Sequence, residues 1–179
     1  MLFSDRSLLT MLHGLVLSGG ALMLLVLALF SLRTMAAPAG AAAAAAADCH
    51  ATTFAWLTIG VAVLLWLSVL SGTYVIFPMY RATPPDGIGS LAEYPRALLM
   101  SSAETRWLHA FGMEIKEHMP WIAAMLATAA AFVARRHRAT LPADAALRRL
   151  TGSLLGIALL LVSFVALLGV FVNKVAPLW

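Results

Sequence analysis

Charge is scarce in this sequence. Asp, Glu, Lys and Arg make up 11% of its 179 residues, and hydrophobic residues make up 62%, where a soluble domain carries roughly 25% charged residues. With a mean hydropathy of +0.91, that balance excludes a soluble globular fold. Cysteine is nearly absent as well. Cys49 stands alone, which excludes an intrachain disulfide, a Cys-x-x-Cys redox pair and the Cys-x-x-Cys-His attachment of c-type haem. No glycine-rich phosphate loop occurs. The net charge of +4 comes from a few basic residues bordering apolar runs, where they act as membrane-flanking anchors, so nucleic acid is not expected as a partner.

The apolar residues that remain fall into four blocks. Residues 7–32, 49–80, 118–134 and 150–173 carry no Asp, Glu, Lys or Arg, in runs of 26, 32, 17 and 24. A membrane-spanning helix needs about 20 such residues, so three runs suffice and the third must borrow residues upstream of His118. The expected fold class is all-α, a single four-helix transmembrane bundle with helices near 7–32, 54–79, 102–138 and 147–173. Lipid offers backbone amides and carbonyls no partner, and no alternating pattern supports a barrel. The first run exceeds the roughly 7–15 residues of a secretion-signal core and reads as a retained helix.

Residues 33–53 form an Ala-rich connector or short helical extension. Residues 80–101 form a polar loop with a turn at Pro84-Pro85-Asp86-Gly87. Within it, Leu91, Tyr94, Leu98 and Leu99 are spaced to share one face of an interfacial helix. Ser101-x-x-Glu104 has the pattern of a capping box opening the third helix. Arg135, Arg136, Arg138, Arg148 and Arg149, with Arg33 on their side, favour a cytoplasmic placement of that end and both termini outside, as in a bacterial inner-membrane protein. The lipid bilayer and other membrane subunits are the expected partners.

Function is expected where charge is not excluded from a span. His109, Glu114, Lys116, Glu117 and His118 lie within ten residues of the third helix, and ionisable groups in a span face the bundle interior by default. At 100° per residue Glu114 and His118 share a face with Trp107, Phe111 and Met125, and His109 and Lys116 point the other way. Counting from the span midpoints puts His13 and His118 at one depth. Tyr74, Asn173 and Lys174 approach the same side. Trp107, Trp121 and Trp179 read as interfacial anchors, and His50 and His137 as solvated loop residues.

The stretch Leu12-His13-Gly14-Leu15-Val16-Leu17-Ser18-Gly19-Gly20 resembles a ligand helix of four-helix membrane b-type cytochromes, in which a histidine near one end is followed by small residues. The resemblance covers two of the four helices. It departs from the two-haem versions because helix two offers only His50 at its far end, so it implies at most one haem b. The implied axial ligands are His13 and His118, with His109 as the alternative and Gly20 giving the macrocycle room. The implied function is electron transfer between a quinone pool and a larger redox complex. Glu114, Lys116, Glu117 and Tyr74 would form a proton or quinone site.

Two other readings use the same residues. In one, the polar layer is glue between helices of a non-catalytic scaffold or assembly subunit. In the other, His13, Glu114 and His118 bind a transition metal or transfer protons. Whether the chain is itself an enzyme stays open on this reading.

Overall fold

Helices fill the apolar blocks because each backbone group must find its partner inside its own segment once water is gone. The computed structural model describes residues 4–35 and 40–176. Among them lie four helices long and apolar enough to cross a membrane: α1 (Asp5–Thr34), α2 (Ala41–Tyr80), α4 (Leu108–Arg136) and α5 (Ala145–Val175). A short helix, α3 (Pro95–Ser101), lies between α2 and α4. No strand occurs among the described residues. The chain is an integral membrane protein with a four-helix bundle.

α1 packs on α2 and α5, and α4 packs on α2 and α5, so the four spans close a ring. Small residues set how closely they approach. A Cβ on Gly20 would stand 3.3 Å from Leu64 of α2, one on Gly60 would stand 3.2 Å from Leu24 of α1, and one on Gly152 3.4 Å from Leu32. Ala123, Ala124, Ala127, Ala130, Ala131 and Ala134 form the buried stripe of α4. Lipid is as apolar as leucine, so close packing through small residues, rather than exclusion of water, holds such helices together.

The connections differ from the sequence expectation in three places. The 33–53 connector is helical from Ala41, where α2 begins far upstream of residue 54; the alanine run has the highest helix propensity of any residue type. Residues 36–39 of that connector lie outside the described residues, as does Trp179.

The capping box does not form. The Ser101 hydroxyl donates to the Leu98 carbonyl and ends α3, Ser102 Oγ accepts from the Glu104 amide instead, and the third span opens at Leu108 rather than near 102. The interfacial helix is shorter than residues 90–100. Pro95, pre-set for a first helical position, starts it, leaving Leu91 and Tyr94 outside. Leu99 is fully buried beside Tyr80, Leu108 and Met113 and anchors the loop to the bundle. Arg6 of α1 adds a second tie by donating to the Glu93 carbonyl at 2.8 Å.

Candidate functional site

Three of the four spans loosen into π-helical turns at the same end of the bundle: Leu12–Gly19 of α1, Gly72–Ile76 of α2 and Leu108–Met113 of α4. Local chemistry accounts for two of them. In α1, Gly14 and Gly19 weaken the turn, and Ser18 Oγ donates to the His13 carbonyl at 2.9 Å. In α2, Pro78 has no amide hydrogen to return to the Tyr74 carbonyl, and the Phe77 amide reaches back to Gly72 instead. π-turns of this kind are frequent at functional sites. Here the turns of α1 and α2 border a polar cluster between those two helices, and that of α4 carries His109 to Tyr80.

His13 sits at its centre. Its Nδ1 lies 3.0 Å from Ser71 Oγ. The Ser71 hydroxyl already donates to the Ser68 carbonyl at 3.1 Å, so Nδ1 carries the hydrogen and donates. The Ser18 hydroxyl is likewise spent on the His13 carbonyl, so the Ser68 hydroxyl donates to Ser18 Oγ across 2.7 Å. The result is a closed polar ring between α1 and α2. Gly72 makes it possible, because a Cβ there would stand 2.8 Å from His13 Cε1.

α4 turns Lys116 toward α5, where its Nζ would stand 3.0 Å from a Cβ on Gly169. Both glycines therefore hold a basic side chain against the helix backbone. No carboxylate pairs with Lys116 among the described residues. Pro120 also leaves the Lys116 carbonyl without its helical donor.

Next to this core is a second pair. Tyr80 of α2 is hydrogen-bonded through its hydroxyl to His109 Nδ1 at 2.8 Å, and Phe77 stacks on Tyr80 beneath the Arg81 guanidinium. Arg96 of α3 and Glu117 of α4 act on both Tyr80 and His109. Replacing Tyr80 by Phe is expected to cost about 1 kcal/mol, near the range measured for interhelical bonds in membranes, read as unfolding of the detergent-solubilised protein. A loss above about 2 kcal/mol would show that the hydroxyl holds more than His109.

His118 lies elsewhere. Its side chain is 71% exposed and that of Glu114 is 66% exposed. His118 Nδ1 donates to the Glu114 carbonyl at 2.7 Å and stands 3.9 Å from its carboxylate. The interior default is reversed here: α4 turns Lys116 and His109 inward and Glu114 and His118 outward, because two residues of helix rotate a side chain by about 200°. His13 and His118 therefore do not face one interior space. The room expected beside Gly20 is filled by Leu64.

The other expected groups divide in the same way. Tyr74 is 69% exposed and points away from the bundle, so Glu114, Lys116, Glu117 and Tyr74 do not converge on one quinone. No cluster of three or more His, Cys, Asp and Glu placed to hold a metal ion occurs among the described residues. His50, expected to be solvated, is tied by Nε2 to Ser31 Oγ at 2.9 Å. Trp121 stacks edge-on with Trp66 at 5.7 Å rather than anchoring alone. Trp107 and His137 are exposed.

Ser68, Ser71, Gly72 and Gly169 shape this polar region, and the sequence analysis did not single them out. The signal was Ser68-x-x-Ser71-Gly72, two hydroxyls and a glycine inside an otherwise apolar run. No family model matches the chain, and neither a curated protein nor a solved structure matches it.

Proposed function

We propose that this protein is a membrane-embedded assembly subunit, whose inner polar ring fixes the bundle and whose outward α4 stripe docks a partner membrane protein. One observation carries this reading. Glu114 and His118 stand outward on an apolar helix whose inward face is already filled, in line with the exposed Trp107, Phe111 and Met125. Lipid gives ionisable side chains no partner, and a protein chain does. Trp, Phe and Met are also the residue types enriched where proteins meet. The Arg-rich loop between α4 and α5 supports a cytoplasmic placement of that end. The docking stripe then lies toward the outer face, with both termini on that side, as in a bacterial inner membrane.

The test is native electrophoresis of the complex extracted from its own membrane. The E114A/H118A variant is expected to migrate as a smaller species while its unfolding in detergent stays within about 0.5 kcal/mol of the parent. An L160A control on the exposed α5 face should leave the complex intact. An unchanged complex in the double variant sinks this reading.

A second reading keeps the electron-transfer expectation and rests on the His118 tautomer. Donation from Nδ1 to the Glu114 carbonyl leaves Nε2 free and outward, the orientation that outer-shell carbonyls give to ligating histidines. A haem b at the docking stripe would then take His118 from this chain and its second ligand from the partner. Reduced-minus-oxidised spectra of the intact complex decide this. Bands of b type that persist in H13A and vanish in H118A support it, and their absence from the parent complex rejects it.

A further inference from the structure

The opposite end of the bundle carries a feature of another kind. Between α2 and α4 an open groove of about 880 Å3 runs from Ile59 to Leu67 on one helix and from Thr128 to Arg136 on the other. Its floor is apolar despite two polar groups, because Trp66 Nε1 donates to Thr128 Oγ1 at 3.0 Å. Phe132 flanks it and is exposed. Eight steps along each helix at about 1.5 Å per residue give a length of about 12 Å, close to the depth of one leaflet of a core about 30 Å thick.

The mouth of the groove is cationic and uncompensated. Arg135 and Arg136 line it and are exposed, with no ion pair found for either among the described residues. The two carboxylates of this end are already engaged. Asp48 pairs with Arg138 at 3.4 Å, and Asp144 accepts from the Ala146 and Leu147 amides as the cap of α5. An apolar trough one leaflet deep beneath two unpaired guanidiniums fits an amphiphile with a negative head and a long chain.

We propose that this groove is a binding site for an anionic phospholipid, its phosphate held by Arg135 and Arg136 and one acyl chain laid between α2 and α4. Guanidinium forks match phosphate oxygens in pairs. A net negative headgroup is preferred over a zwitterionic one because the arginines have no other counter-charge among the described residues.

Reconstitution tests this with acyl-brominated lipids, which quench nearby tryptophan. Brominated phosphatidylglycerol should quench the Trp66 component more than brominated phosphatidylcholine at equal mole fraction, corresponding to about thirtyfold preference for two basic contacts. The R135Q/R136Q variant should lose that preference. The R33Q/R149Q variant removes two arginines from the same end but outside the groove and should keep it. A W66F variant identifies the component, and lipid retained by the purified protein in native mass spectrometry gives an independent readout. Equal quenching by both lipids in the parent overturns the proposal. So does equal loss in the two arginine variants, which would mean general surface attraction, or no quenching by either lipid, which would mean that another chain covers the groove.

Discussion

Replacing Gly72 by alanine is expected to destabilise the protein by about 2 kcal/mol, measured as unfolding in mixed detergent micelles, with most of that loss disappearing when His13 is also alanine. The added methyl would stand 2.8 Å from His13 Cε1. The imidazole must then shift off Ser71 or push α1 from α2. Overpacking of this kind costs about 1–3 kcal/mol, and a broken interhelical hydrogen bond adds about 0.6 kcal/mol on average in membranes. The double variant is the informative one. H13A alone loses the hydrogen bond and leaves a void, so independent sites would add. A Gly72 packed against the imidazole instead gives a favourable coupling, because the void takes the methyl. Additive losses within about 0.5 kcal/mol would contradict the contact.

The second large effect belongs to the alanine stripe of α4. Ala127 is 0% exposed, in the buried stripe of a helix that packs on α2 and α5. A127L is expected to cost about 3 kcal/mol, because a leucine there forces apart helices whose contact depends on small side chains. The control is A129L on the exposed side of the same helix, expected within about 0.5 kcal/mol of the parent. Similar losses at both positions would mean that the substitution acts through α4 itself rather than through its packing.

Much of this architecture was written in the spacing of charge. Charge-free runs long enough to span a bilayer located four helices, since lipid tolerates few alternatives. Their ends were less legible. α2 runs 40 residues, well beyond the roughly 20 that a hydrocarbon core needs, so the absence of charge does not set where it starts, and the helix propensity of the alanine run carries it back to Ala41. Likewise, Ser101 and Ser102 compete for the same local role, and hydrogen bonding of Ser101 to Leu98 decides it.

Which end of the bundle to search was legible in the sequence, and rotation was not. Counting from span midpoints pointed to the N-terminal ends of α1 and α4, and both spans carry π-helical turns there. Which face of α4 turns inward depends on packing, and here the alanine stripe governs. Ala123, Ala127, Ala130 and Ala134 bring α4 onto its neighbours, and that rotation carries Lys116 inside and leaves His118 outside. The polar ring was hidden for a related reason. Ser18, Ser68 and Ser71 are unremarkable in an apolar run until two helices set them opposite each other, and a glycine such as Gly72 shows its purpose only beside the ring it admits.

The rotation of α4 decides between a docking stripe and a histidine pair sharing one interior. Cys49 is the lone cysteine, so a C49S background allows one spin label at a time, placed by K116C or H118C in the reconstituted protein. The label at 118 is expected to be mobile and freely relaxed by oxygen dissolved in the lipid, and the label at 116 immobile and shielded. The reverse pattern, with 118 shielded and 116 open to lipid, would turn His118 toward His13 and contradict the account.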